Sequence, residues 1–386
     1  MKKKIVSVIL VAAMAVGCLA GCGSKEAKNE DAFYIGGIGP VTGDAAIYGT
    51  AVQNGAQIAV DEINEAGGIN GHQIEYNFQD DQGDPEKAAN AYNTLKDWGM
   101  QVLMGTVTTG PCVSVADLTA ADNMFQITPS ASSTDVIKND NVFQVCFTDP
   151  AQGTKSAQYI GENNLAKKVA IIYNSSDIYS SGIEAKFVEE AANQNFEVVA
   201  EEAFTADSKT DFSTQLQKAK DAEADLVFLP IYYTEASIIL TQADSMGYAP
   251  TFFGCDGMDG ILGVKNFDTS LAEGLMLLTP FAADSKDEKT ANFVSKYEEK
   301  YKDTPNQFAA DAYDAIYAIK AALEEANATP DMSASDICDA LKKGMTEITY
   351  DGLTGKSITW SEDGEPTKDP TVVVVQNGEY QVLEAK

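Results

Sequence analysis

The sequence predicts an α/β protein of two doubly wound lobes, each a parallel sheet with helices on both faces. The first observation is length, because 386 residues exceed what one hydrophobic core ordinarily holds. The second is that short apolar strands alternate with amphipathic helices, which is typical of parallel sheets covered on both sides. The third is that this alternation forms two separate series along the chain. One sheet is therefore expected from each series.

The first series starts at Phe33. Its predicted strands are 33–38, 73–80, 101–107 and 125–128, and its predicted helices are 48–66, 85–98 and 111–122. The first helix has apolar residues at helical spacing and ends at Gly67-Gly68. Pro111 suits the first turn of the third helix.

The second series follows after a stretch with no predicted element. Its predicted strands are 168–173, 197–204, 225–231 and 251–254, and its predicted helices are 179–195, 212–220 and 235–246. Three further helices are predicted at 287–301, 307–327 and 333–343, and strand-like pieces at 358–360 and 371–383. The two series predict two lobes.

The N-terminus has the pattern of an export signal. Lys2, Lys3 and Lys4 precede an apolar run over residues 5–20, which is too short for a comfortable membrane span. The run ends in Leu19-Ala20-Gly21-Cys22, which looks like a bacterial lipobox. We predict a lipoprotein signal peptide over 1–21, lipidation of Cys22, a flexible tether over 22–32, and anchoring at the outer face of the cell membrane. A chance cysteine near an ordinary cleavage site is the alternative.

Composition argues against several functions. A net charge of −31 opposes binding to nucleic acid or to an anionic membrane surface. The chain has no arginine, and its one histidine, His72, lies in a turn-like run, so triads and multi-histidine metal sites are not predicted. Gly36-Gly37-Ile38-Gly39-Pro40 does not match a nucleotide fingerprint. Four later cysteines have no metal-ligand spacing, and whether they pair is left open; they are Cys112, Cys146, Cys255 and Cys338. We predict no enzyme activity, no metal and no cofactor.

A series of short motifs points to one family. They include Ile38-Gly39-Pro40-Val41-Thr42-Gly43, Ala59-Val60-Asp61-Glu62-Ile63-Asn64, Gly67-Gly68-Ile69-Asn70-Gly71, Thr128-Pro129-Ser130-Ala131-Ser132, Gly254-Cys255-Asp256-Gly257 and Thr359-Trp360. In their order and spacing the chain resembles the branched-chain amino acid (Leu/Ile/Val) binding proteins, the substrate-binding components of ABC importers. The resemblance implies a type I periplasmic binding protein fold, with three crossovers and a ligand cleft between the lobes. It places the N-terminal lobe at 33–147 plus 281–356 and the C-terminal lobe at 148–280 plus 357–386.

The resemblance also implies a ligand site. The matching carboxylate donors are Thr109, the backbone of Ser130, and Ser132. Thr109 would also lie at a helix N-terminus, where free N–H groups attract an anion. Asp256 matches the acid that pairs with the ligand's ammonium group, although the family often has glutamate there.

The aromatic and apolar contacts of that implied site are four. The matching positions are Tyr48, Tyr179, Tyr232 and Phe308, with Ile178 as an alternative to Tyr179. The disulfide that some members carry in the first lobe is absent, since its positions hold Gly83 and Thr108.

The resemblance implies a monomeric receptor that closes on a small ligand and delivers it to a membrane permease. Leucine, isoleucine or valine is the first expectation. Another neutral amino acid, an aromatic amino acid or an amide remains an alternative, and so do an extracellular sensory module and an enzyme of the same shape.

Overall fold

Two β-sheets organise the chain in the computed structural model, which describes residues 29–383. The strands are β1 (Ala32–Gly39), β2 (Gln73–Asp80), β3 (Val102–Gly105), β4 (Phe125–Thr128), β5 (Val142–Gln144), β6 (Lys168–Asn174), β7 (Glu197–Phe204), β8 (Leu226–Leu229), β9 (Thr251–Gly254), β10 (Met276–Thr279), β11 (Thr371–Gln376) and β12 (Glu379–Val382). The helices are α1 (Ala46–Glu65), α2 (Pro85–Trp98), α3 (Thr109–Asp122), α4 (Asp149–Glu162), α5 (Ile178–Ala191), α6 (Ser213–Asp221), α7 (Tyr233–Ser245), α8 (Glu288–Tyr301), α9 (Gln307–Glu325) and α10 (Ala334–Glu347). From Asp31 onward the chain forms one compact unit.

The first sheet has five parallel strands in the order β2-β1-β3-β4-β5. Every residue of β1 is buried, as expected of a strand covered on both faces. The helix α2 shows how local sequence sets an element: the Asp84 side chain accepts from two N–H groups of its first turn, Pro85 begins it, and Gly99 ends it with a positive φ.

The second sheet has seven strands in the order β12-β11-β10-β9-β8-β6-β7. Its five strands β6 to β10 run parallel, but β11 pairs with β10 and β12 in antiparallel fashion. Asn377 and Gly378 connect β11 to β12, both with positive φ, which is the common two-residue hairpin. The lobe is therefore mixed, not wholly parallel as the sequence pattern predicted.

The chain passes between the two sheets three times. It leaves the first sheet after β5, returns after β10, and crosses again between α10 and β11. Between the second and third crossings α8, α9 and α10 pack on the first lobe. A Cβ at Gly55 of α1 would lie 2.0 Å from the Ala309 oxygen of α9, so only glycine permits this close packing.

The two-lobed α/β class predicted from the sequence is confirmed, with three elements missed. These are β5 and α4, both between residues 129 and 167, and β10. The predicted strand at 358–360 is instead two isolated bridges, Tyr350 with Ile358 and Trp360 with Pro366.

The predicted lobe boundaries remain predictions. The predicted signal peptide, Cys22 and the tether as far as residue 28 lie outside the described residues. Among residues 29–383 no helix has the length and apolar content needed to span a bilayer.

A candidate ligand-binding cleft between the lobes

The site lies where strand order reverses in each sheet. In the first sheet β2 and β3 flank β1, and in the second β7 and β8 flank β6. At such a switch point the connections after the strands diverge to opposite faces and leave a crevice outside the strand ends. The connections after β1, β3 and β4 form one wall of this crevice, and those after β6, β8 and β9 form the other.

A single cavity collects nearly all the predicted contacts. Its free volume is about 10 Å³, so the lining side chains lie close together in this arrangement. The lining residues predicted from the sequence are Tyr48, Thr109, Ser130, Tyr179, Tyr232, Asp256 and Phe308. Val107, Thr108 and Gly257 also line it, and their only sequence signal was adjacency to predicted residues.

The first-lobe wall offers polar groups at the start of α3. This helix begins at Thr109, and the hydroxyl oxygens of Thr108 and Thr109 are buried without a hydrogen-bond partner in the described chain. Free N–H groups and the helix dipole at such an end favour an anion. The Ser130 hydroxyl, by contrast, donates to the Val107 oxygen at 2.7 Å, and its N–H makes a long bond of 3.3 Å to Thr128 Oγ1.

The second-lobe wall carries a buried acid. Asp256 opens a short 3₁₀ turn directly after β9 and is 4% exposed. Its Oδ1 accepts from the Tyr179 hydroxyl at 2.8 Å, and its backbone N–H donates to Gln152 Oε1 at 3.1 Å. Burial raises the pKa of Asp256 to about 7, although the hydrogen bond from the Tyr179 hydroxyl favours the ionised form. A ligand cation would stabilise that ionised form.

Aromatic rings fill the space between the two walls. Tyr179 and Tyr232 stack at 4.9 Å between ring centroids, and Tyr48 and Phe308 lie 4.2 Å apart. Tyr48 also meets Tyr232 edge-on at 5.7 Å. Ile178, the alternative to Tyr179, is 41% exposed and does not line the cavity. The rings give the cavity an apolar lining, and the Tyr48 and Tyr179 hydroxyl groups are hydrogen-bonded within it.

The two lobes touch each other across this cleft. The Tyr48 hydroxyl, from the first lobe, donates to the Gly257 oxygen of the second and accepts from the Tyr233 N–H at 3.3 Å. On α9, Gln307 Nε2 donates to the Asp256 oxygen at 2.8 Å, and the Gln307 N–H donates to Asp259 Oδ2 at 2.9 Å. The structure is therefore a closed arrangement of the lobes.

Ser132 is the predicted contact that does not line the cavity. It is fully buried, its hydroxyl has no partner in the described chain, and its backbone oxygen accepts from the Asp149 N–H at 2.8 Å. Sequence reasoning missed Asp149 and Gln152 of α4, both next to the site. The Asp149-Pro150 pair, a common helix start, was the signal that could have found this helix.

Groups associated with catalysis are not assembled in the cleft. His72 pairs with Asp31 at 2.6 Å, and neither residue lines the cavity. All four described cysteines are buried and unpaired. Among residues 29–383 no three potential metal-ligating side chains cluster.

Comparison with known proteins agrees with this architecture. A family model described as periplasmic binding protein matches residues 32–379. The Leu/Ile/Val-binding protein BraC3 of Rhizobium johnstonii is 32% identical over 337 residues, which cover 86% of this chain and 88% of that protein.

Solved structures give the same fold. The branched-chain amino acid transporter substrate-binding protein LivJ of Streptococcus pneumoniae, in complex with isoleucine, is 30% identical with a TM-score of 0.82, covering 91% of this chain and 98% of that one. A solute-binding protein from R. palustris in complex with benzoate is 19% identical with a TM-score of 0.79, covering 91% and 95%, and this shows a shared fold alone.

The fold and the cleft define a two-lobed solute-binding protein of the type I class. The chain belongs to the periplasmic binding protein family and is similar to its branched-chain amino acid binding members. Members of this family are extracellular or periplasmic substrate-binding proteins of ABC transporters, and they are not enzymes.

Proposed function

We propose that this protein is a lipid-anchored receptor of an ABC importer that binds a neutral branched-chain amino acid between its lobes. Leucine, isoleucine and valine are the proposed ligands, and a membrane permease is the proposed partner. The proposal also assigns the eight sequence-predicted positions to the ligand site and Cys22 to the lipid anchor.

The proposal rests on two chemically different walls that face each other across the cavity. Unpartnered hydroxyls and the N-terminus of α3 lie on one side, and the buried carboxyl of Asp256 lies on the other. An α-amino acid carries a carboxylate and an ammonium group on one carbon, so it complements both walls at once. Without arginine in the chain, the carboxylate is left to N–H and hydroxyl donors.

The aromatic lining of the cavity supports a ligand with an apolar side chain. Tyr48, Tyr232 and Phe308 present ring surface, and the cavity holds little spare volume. Apolar lining with a few placed polar groups is the usual design of small-ligand sites. The names of similar proteins, which include leucine, isoleucine and valine, support a ligand with a branched aliphatic side chain.

Closure supplies the proposed transport step. Ligand contacts come from both lobes, so binding favours the closed population over the open one. A closed receptor presents a single surface to a permease, and the anchor at Cys22 keeps it at the membrane.

The first test is a thermal-shift screen of residues 23–386 against the twenty amino acids. A ligand at one hundred times its Kd adds about 2.7 kcal/mol to the folded state by mass action. We expect leucine, isoleucine or valine to raise the unfolding midpoint, and the response to disappear in Asp256→Asn. The matched control is Asp117→Asn, an exposed acid outside the cavity. No response to any amino acid would sink the assignment.

A second candidate ligand class is an aromatic acid. The stacked Tyr179–Tyr232 pair offers a flat surface to a ring, and the R. palustris protein of the same fold was solved with benzoate. Benzoate and 4-hydroxybenzoate therefore belong in the same screen. A response to these acids without a response to amino acids would favour the second candidate.

A further inference from the structure

A second acid lies next to Asp256, outside the set of predicted site residues. Asp149 is 1% exposed, and neither of its carboxylate oxygens has a hydrogen-bond partner in the described chain. A buried polar group without a partner is costly, and a charged one more so, which means that such groups in native proteins require an explanation.

The first turn of α4 places Asp149 beside the ligand site. Its N–H donates to the oxygen of Ser132, and three residues later Gln152 accepts the backbone N–H of Asp256. Positions three apart share one face of a helix. Asp149 and Gln152 therefore both face the junction of Ser132 with the Asp256 turn.

The neighbouring helix α5 fixes the position of the carboxyl group from its other side. A Cβ at Gly182 would lie 3.5 Å from Asp149 Oδ2, so this carboxyl group rests on the backbone of α5. Tyr179 lies three residues before Gly182 on the same face, and its hydroxyl donates to Asp256. The two acids therefore lie against one helix face, and no lysine pairs with either of them in the described ion pairs.

Helix capping does not account for this side chain. Asp149 is the first residue of α4, yet the structure shows no side-chain cap at this helix end. Burial raises the pKa of Asp149 well above its ordinary value, and the charge of Asp256 adds to the rise. The Ser132 hydroxyl offsets part of this rise without forming a hydrogen bond of normal geometry.

We propose that Asp149 is a second counter-charge for the ligand's ammonium group, acting together with Asp256. It does not line the cavity, so it acts through its charge: a ligand ammonium group next to Asp256 favours the ionised form of Asp149, which burial otherwise disfavours. This inference rests on the proposed function and narrows it: the site selects ligands that carry an amine, and it rejects carboxylic acids that lack one. Asp149 is a specificity-determining residue in this account.

The test compares L-leucine with 4-methylpentanoate, which has the leucine skeleton without the amino group. Asp149→Asn removes the carboxyl group at nearly constant side-chain shape. Asp135→Asn is the control, because Asp135 is an exposed acid whose charge also acts on Asp149. Calorimetry gives the two affinities, and thermal unfolding gives the stability of each protein without ligand. Asp149→Ser serves as a smaller neutral variant if the amide does not fit.

We expect Asp149→Asn to bind leucine at least about tenfold more weakly, with an unliganded midpoint unchanged or higher. Its affinity for 4-methylpentanoate should match that of the wild type or exceed it, and Asp135→Asn should behave as wild type. Unchanged leucine affinity in both Asp149 variants would overturn the inference and leave the proposed function standing. A variant that loses both ligands equally and also melts earlier would overturn it in favour of a structural role. If the wild type binds aromatic acids but no amino acid, the proposed function itself fails.

Discussion

Asp256 shows how much one side chain can depend on its surroundings. It is almost fully buried, it accepts from Tyr179, and burial raises its pKa from the ordinary value of 3.8 to about 7. A raised carboxyl pKa means that the folded protein holds the proton more tightly than the unfolded chain does. The stability that this group contributes is therefore complete below about pH 4 and is lost as the pH rises through 7.

Ligand affinity should follow the opposite course with pH. An ammonium group pairs with the ionised form of Asp256, so amino acid binding below pH 7 must release its proton. We predict that leucine affinity rises between pH 5 and pH 7, by at most about tenfold per unit, and then levels off. Isothermal calorimetry across this range measures it.

The control for this pH prediction is Asp256→Asn, which has no proton to release at that position. We expect weaker binding by about 2–5 kcal/mol, the usual result of removing one partner from a buried charge pair. We also expect a flatter pH profile, with any remaining slope assigned to Asp149 and Asp177, whose pKa values burial also raises. A wild-type affinity that is constant from pH 5 to pH 8 would contradict the assignment of Asp256 to the ammonium group.

Elements from both lobes also meet at an ion-pair group on the surface. Asp44 follows β1 in the first lobe, and its carboxylate pairs with Lys209 of the second lobe at 2.5 Å. Lys209 also lies 3.7 Å from Glu235 at the start of α7, and the Thr234 hydroxyl donates to the Asp44 oxygen at 2.9 Å. These contacts join the two lobes directly, so opening the cleft at this point would break them.

We predict that Lys209→Met weakens ligand binding by two- to fivefold through faster dissociation. Exposed pairs contribute about 0.2–1 kcal/mol, and salt screens them, so the wild-type affinity should fall with added salt more than the variant's. Stopped-flow dissociation measurements at two salt concentrations check this. The matched control is Lys218→Met, whose partner Glu202 at 2.7 Å lies in the same lobe. Equal effects of the two substitutions on dissociation would argue against an interlobe role for Lys209.

Elements with a clear apolar period could be predicted from that period, and α4 could not. The predicted strands 73–80 and 251–254 agree with β2 and β9 at both ends. Most of the buried face of α4 is made of small and polar residues such as Gln152, Gly153 and Ser156, so its apolar stripe is weak. Gly153 explains why, since a Cβ there would lie 2.4 Å from the Ile183 oxygen of α5.

The candidate site, too, could be predicted only in part. Resemblance to a family supplied seven of the ten residues that line the cavity, because the matching motifs lie near the ends of strands. It could not supply Asp149, which belongs to the helix that periodicity missed. Nor could it show that the Ser130 hydroxyl is already bound to the Val107 oxygen, since that contact joins two separate connections.

At the scale of the whole molecule, a buried lysine joins two of the three crossings between the lobes. The side chain of Lys368 is 1% exposed, and its Nζ donates to the Val145 oxygen at 3.0 Å, just after β5. It also donates to Thr354 Oγ1 at 2.6 Å and pairs with Asp311 of α9 at 2.7 Å. Lys368 thus fixes the first and third crossings against a helix of the first lobe.

We predict that Lys368→Met destabilises the protein by about 3–5 kcal/mol, because it leaves the Asp311 carboxyl group buried without a partner. Burial already raises the pKa of Asp311 to about 6 while Lys368 lowers it, so losing the lysine adds to the cost of ionisation. Urea unfolding of residues 23–386 measures the change.

The double variant Lys368→Met with Asp311→Leu should recover most of the lost stability, since an apolar pair of similar volume avoids the buried charge. Lys300→Met, which removes a half-exposed pair with Asp61, should cost less than about 1 kcal/mol. If Lys368→Met lowered the free energy of unfolding no more than Lys300→Met, the stability of the crossings between the lobes would not depend on this buried pair.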